Sequence, residues 1–172
     1  MGPTEKLIQQ FAREGHPLGQ GIEIEELPDL IEALRQRLIV SNEELDLSPS
    51  SLNRLEQHLI DLFRSMNEAK QKFADEELVQ LVREIAAYIG EVLVTQADGR
   101  WGDQTKTLWA TEVIIEGPWE VIKDRRNISP YAAHFVVGSE AAWVWDAITV
   151  GKKPYLYRTY RDAHTRRLRE RL

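Results

Sequence analysis

The chain has 172 residues, 42% hydrophobic and 29% charged, with a net charge of −6 and no cysteine. It is one domain's worth of chain, long enough to bury roughly 70% of its unfolded surface. Without a thiol it has no disulfide, thiolate metal site or cysteine nucleophile, and no apolar run nears the ~20 residues that span a bilayer.

The charge is unevenly placed. Residues 152–172 carry eight Lys/Arg and two Asp/Glu, a net of +6, against −12 for the preceding 151 residues. An acidic body with a basic tail points to electrostatic contact, tail to body or tail to partner. The start, Met1-Gly2-Pro3-Thr4-Glu5-Lys6, lacks a secretory apolar core, and Lys6 replaces the serine or threonine of a myristoylation signal. A soluble cytoplasmic protein is expected.

In chain order, Thr4 to Glu14 predicts a short helix, ended by Gly15-His16-Pro17 and the Gly19-Gln20-Gly21 loop. Pro28 to Leu38 predicts a second, with Leu30, Ile31, Leu34 and Leu38 on one face. Ser41-Asn42-Glu43-Glu44 offers a capping box over a turn of helix. A firmer helix begins near Ser48, with Pro49 in its first turn, and repeats Leu52, Leu55, Leu59, Leu62 and Met66 at helical spacing. From Asp75, Leu78, Leu81, Val82, Ile85, Ile89, Val92 and Leu93 make the best apolar stripe of the chain. These last two helices are expected at the centre of the core.

Gly99 to Gly102 and Thr107 to Ile115 read as strands, with Trp109, Thr111, Val113 and Ile115 on one side. Pro118 is placed to begin a helix through Arg126, although Trp119 to Lys123 also suits a strand. Short helices are expected at Pro130 to Val136 and Ser139 to Ile148. The basic segment 152–172 closes the chain with a helix from about Pro154 to Arg171, striped by Tyr157, Tyr160, His164 and Leu168. The class is α+β: a mostly helical single domain, residues 1–172, with a small antiparallel sheet packed on the central helices and its core within 28–126.

Gly90 and Glu91 stand near the end of the best helix, ten residues before Trp101 in the following strand. A mid-helix glycine costs about 1 kcal/mol against alanine, which is justified where a large ring must approach; Tyr88 and Trp101 are the candidate rings. Glu91, if half buried, needs a donor, from Arg100 or the strand-turn amides. Glycine, carboxylate and tryptophan then make a helix-to-strand lock, or else the floor of a Glu91/Trp101 pocket.

Three pieces, Leu47-Ser48-Pro49-Ser50-Ser51-Leu52, Ala87-Tyr88-Ile89-Gly90-Glu91-Val92 and Gly99-Arg100-Trp101, run in an order that resembles a loose group of bacterial proteins of unknown function. Pro118-Trp119-Glu120-Val121-Ile122 extends the likeness, which covers about residues 28–126. The resemblance implies a shared fold and suggests the bacterial interaction systems, toxin-immunity pairs among them, to which some look-alikes belong.

Other chemistry is poorly represented. His16, His58, His134 and His164 are scattered, and His58 with Glu56 or Asp61 leaves a metal site short of ligands. Gly19-x-Gly21 lacks a third glycine and a preceding strand. There is no phosphate loop and no Gly-x-Ser-x-Gly elbow. Glu84 and Glu91 share a helix face, but carboxylate pairs at that spacing arise by chance among 28 acidic residues. No catalytic residue, metal or cofactor is expected.

Aromatics are the remaining signal. Trp143 and Trp145, two apart, point in different directions on a helix, one to the core and one to solvent, and share a face on a strand. Tyr155, Tyr157 and Tyr160 interleave with Arg158 and Arg161, residue types that dominate interface hot spots; the acidic body opposes nucleic acid. The expected function is a non-enzymatic protein-interaction module using Trp143, Trp145, Tyr157, Arg158, Tyr160 and Arg161, its acidic body steering a basic protein. One alternative is an immunity protein neutralising a toxin through its acidic face. Another is a ligand binder or small enzyme built on Glu91, Trp101 and Arg125.

Overall fold

The computed structural model describes residues 1–103, 106–117, 119–120, 128–129, 132–158 and 160–161. Five helices carry the described fold: α1 (Pro3–Arg13), α2 (Leu27–Leu38), α3 (Ser51–Glu68), α4 (Asp75–Gln96) and α5 (Val137–Thr149). Between α4 and α5 lie the strands β1 (Arg100–Trp101), β2 (Val113–Ile115), β3 (Trp119–Glu120), β4 (Ile128–Ser129) and β5 (Ala133–Phe135). The protein is a mostly helical α+β fold with a small antiparallel sheet. Among the described residues, no helix is long and apolar enough to cross a membrane.

The ends of several helices follow from local chemistry. In the turn before α3, Ser51 N–H donates to Ser48 Oγ at 3.3 Å, while Ser51, Leu52 and Asn53 bond three residues back. The start is therefore a tight 3-10 turn that widens into the helix. The N-cap of α1 is Gly2, which brings no side-chain acceptor. Asp146 of α5 supplies one from across the fold, accepting Thr4 N–H at 3.1 and 3.2 Å.

Helix α4 is the axis of the core. It packs mainly on α2 and α5, and every residue from Leu81 to Gly90 is buried. The apolar stripe expected on one side is thus extended around the whole helix, and two charged residues inside it need partners. Arg83 donates to Gln20 O at 2.6 Å and to both Glu26 oxygens at 3.0 Å. Glu84 accepts two bonds from Arg37 of α2. The core also reaches beyond 28–126, taking in Ile8, Phe11, Val137, Val144, Leu156 and Tyr160.

The three-stranded sheet has the order β1-β2-β5, all antiparallel, and β1 and β2 rest on α4. Val113 pairs with Trp101 and with Phe135, and Ile114 with His134. Strand β3 pairs separately with β4.

Four expectations are corrected here. Residues 133–135 form a strand instead of part of a helix, because β2 offers an edge that pairing satisfies more fully than two alanines favour a helix. Of the expected strand 107–115, only Val113–Ile115 is a strand of the sheet. Leu108–Ala110 is a 3-10 turn that places Leu108 in the core, and Gly138 approaches its carbonyl too closely for any side chain. At 119–120 the alternative strand is formed and not the helix from Pro118; residues 121–127 lie outside the described residues. The helix expected from about Pro154 does not begin there: Tyr155 has φ +55°, in the left-handed region, and the described helical residues are 157–158 and 160–161. Residues 162–172 of the basic tail lie outside the description.

Candidate functional site

The Gly90-Glu91-Trp101 constellation forms a lock. A Cβ on Gly90 would overlap the Trp101 ring, 2.5 Å from Cζ2 and nearer still to Cη2, so glycine is the residue that lets β1 close on α4. The Trp101 indole N–H donates to Glu91 Oε1 at 2.8 Å. The donor sought for Glu91 is therefore the ring itself, while Arg100 pairs with Glu116 at 3.0 Å. Tyr88 takes no part; its hydroxyl meets Ser51 Oγ at 2.6 Å and accepts Leu47 N–H at 3.0 Å. Burial pushes the Tyr88 phenol above its ordinary range.

Gly90→Ala should destabilise the protein by up to about 2 kcal/mol, overpacking of about 1–3 offset by the helix gain of about 1. In the Trp101→Ala background the same change should be neutral or stabilising. A urea melt that shows equal effects in both backgrounds would contradict the lock.

Glu84 does not join Glu91 in an acid-base pair, since Arg37 holds both of its oxygens. Those hydrogen bonds raise the Arg37 pKa. His58 faces Glu44 at 3.5 Å, whereas Asp61 accepts from Gln57 and buried Glu56 accepts Leu156 N–H at 2.9 Å. Among the described residues, no three His, Cys, Asp or Glu side chains converge as metal ligands.

The two tryptophans of α5 border different concavities. Two residues advance a helix by about 200°, so Trp145 turns inward, 4% exposed, and Trp143 outward, 48% exposed. Trp145 meets Phe63 edge-on, centroids 6.0 Å apart at 90°, and Phe73 at 5.7 Å and 59°. It stands beside a cleft of about 570 Å³ between α1, the end of α3, the start of α4 and α5.

Trp143 lines the second concavity, about 600 Å³, with His134, Ser139, Tyr155 and Arg158. Its position depends on residues 151–156. Gly151, at φ +77°, turns the chain away from α5, and the Glu56 bond to Leu156 N pins it down. Tyr155 is left 53% exposed, with Arg158 over its ring at 5.2 Å and Lys153 at 5.5 Å. Among the described residues, no carboxylate pairs with the Arg158 guanidinium.

His134 sits at the edge of this concavity, its Nδ1 3.0 Å from Glu112 Oε2, and Lys106 Nζ lies 2.6 Å from Oε1. Burial pushes the Glu112 carboxyl up, but the Lys106 and His134 hydrogen bonds outweigh it and hold it below the usual carboxylate range. Glu5 is occupied by Trp109 Nε1 at 3.1 Å and Ser139 Oγ at 3.2 Å.

The expected binding residues are thus divided. Trp143, Arg158 and Arg161 face solvent, and Tyr157 is half-buried. Trp145 and Tyr160 belong to the core, and Glu91 and Trp101 bind each other. Arg125 lies outside the described residues. Tyr155, expected only as part of the interleaved Tyr/Arg segment, lines the concavity itself, and His134 joins it without any sequence signal. No local signal kept the helix from starting at Pro154, since proline suits a first turn, and none marked His134, because its partner Glu112 is 22 residues away. No protein-family model, curated protein or solved structure matches this chain.

Proposed function

We propose that this protein is a non-enzymatic interaction module that binds a protein partner through Trp143, Tyr155 and Arg158. The observation that carries the reading is the exposure of two large aromatic rings beside one concavity, next to an arginine that no carboxylate among the described residues claims. Aromatic side chains and arginine contribute the largest energies at interfaces. Tyr155 holds Arg158 in a stacked position, which reduces the entropy lost when it is bound. A cytoplasmic location in a bacterium is part of the reading, as is membership of the group resembled above.

The immunity-protein alternative draws on the acidic body, −12 over residues 1–151, which would attract a basic toxin at long range. It predicts rescue of growth from a cognate toxin. A pocket reading built on Glu91 has less support, since the Trp101 ring fills the space over Gly90.

The test is affinity capture from host lysate with the wild-type chain, Trp143→Ala and Arg158→Glu. One stoichiometric partner should be recovered with wild type. Each variant should weaken it about 30-fold, the equivalent of about 2 kcal/mol, with an unchanged melting temperature. Equal retention by both variants would defeat the assigned surface, and no stoichiometric partner at physiological salt would defeat the module.

A further inference from the structure

The cleft beside Trp145 has its own chemistry, separate from the Trp143 face. Its walls are apolar and aromatic: Leu7 of α1, Phe63 and Met66 of α3, Phe73, Leu78 of α4 and Trp145. A volume of about 570 Å³ falls within the ~300–1,000 Å³ typical of small-molecule sites, which are mostly apolar with a few placed polar groups.

One polar group in the wall is unusual. The Asp146 carboxylate is half-buried, and both of its oxygens accept the single backbone N–H of Thr4. Among the described residues, no lysine, arginine or histidine pairs with it. A backbone N–H stabilises a carboxylate without neutralising it, so a negative charge is left in the wall of a cleft that three aromatic rings also line.

We propose that this cleft binds a small apolar amine, its ammonium group on Asp146 and its hydrocarbon part against Phe63, Phe73 and Trp145. Ring faces carry negative quadrupole charge and favour a cation that is already partly desolvated. The ring of Phe73 shows the preference within the protein, since Arg37 lies over it at 5.8 Å. The other charged residues of the cleft are Asp75, which adds to the attraction, and Lys72. Lys72 is exposed and can keep its head in water while its stem lines the rim. The inference is independent of the partner surface, because α5 turns Trp143 and Trp145 to different sides.

Calorimetric titration of the full chain with phenethylamine, phenethyl alcohol and hydrocinnamate tests it. The amine should bind roughly tenfold or more tightly than the alcohol, a difference of about 1.4 kcal/mol, and the acid least. Asp146→Asn keeps a carbonyl acceptor for Thr4 N–H. It should bring the amine to the affinity of the alcohol and leave the alcohol unchanged. Leu7→Trp, which fills the cleft, should abolish binding of both in a protein that still melts cooperatively. Tighter binding of the acid, lost with Lys72→Ala, would overturn the proposal in favour of an anion site. Amine binding that survives Asp146→Asn, or no binding by any probe, would overturn it outright.

Discussion

Arg37→Ala should destabilise the protein by about 3–5 kcal/mol, more than the mirror substitution Glu84→Ala. The pair is bidentate, with Arg37 Nε at 2.8 Å and Nη2 at 2.9 Å from the two Glu84 oxygens. Its members differ in access to water: the Glu84 side chain is 1% exposed and that of Arg37 24%. Removing Arg37 leaves a carboxylate inside α4 with no donor and no route to solvent, the costly case for a broken buried pair. Removing Glu84 leaves a guanidinium that can swing outward, and about 2 kcal/mol is expected. Replacing both by methionine should restore stability to within about 1 kcal/mol of wild type, since two apolar groups of similar volume need no partner. Urea titration of the four proteins decides this. Equal losses below about 1 kcal/mol for both alanine variants would show that the pair is not the tie between α2 and α4.

The second large effect separates two tryptophans two residues apart. Trp145→Ala should cost about 3 kcal/mol, at the lower end of the range for aromatic truncation in a core. The neighbouring cleft admits water, which limits the cavity penalty, while Phe63 and Phe73 lose their ring partner. For a chain of this length that is a fall of roughly 10 °C in melting temperature. Trp143→Ala should lie within about 0.5 kcal/mol of wild type, as an exposed substitution. Calorimetric melting of the two variants is sufficient. Similar losses would mean that Trp143 packs, and would remove the basis of the proposed partner surface.

Several elements could be read directly from the chain. The spacing of Leu30, Ile31 and Leu34, of Leu52, Leu55 and Leu59, and of Leu81, Ile85 and Ile89 marks three helices. The serine-proline turn before α3 and the approach of a large ring, Tyr88 or Trp101, to Gly90 could be read as well. In each case the information lies within about ten residues, where helical geometry ties a side chain to its neighbours at three and four positions. The candidate site was only half legible. Trp143 and Arg158 could be named as contact residues, but Trp145 and Tyr160 carry the same residue types and are buried.

Local preference failed where a distant partner set the outcome. Ala133-His134-Phe135 carries no strong strand signal, and β2, some twenty residues earlier, makes it a strand. Tyr155 sits at a position that helical spacing would include, and the bond from Glu56 to Leu156, a hundred residues apart, holds its segment in another conformation.

The sequence by itself determined the helical framework, the class and the glycine that a large ring must approach, because backbone propensity and apolar period act over one or two turns. Only the tertiary structure decided which charges are buried and which rings are exposed. Glu84 meets Arg37, Asp146 caps α1 and Trp143 is left in solvent because chain closure brings together groups that no periodicity relates. A charge or a ring acquires its energy from what surrounds it, and those surroundings come from distant parts of the chain.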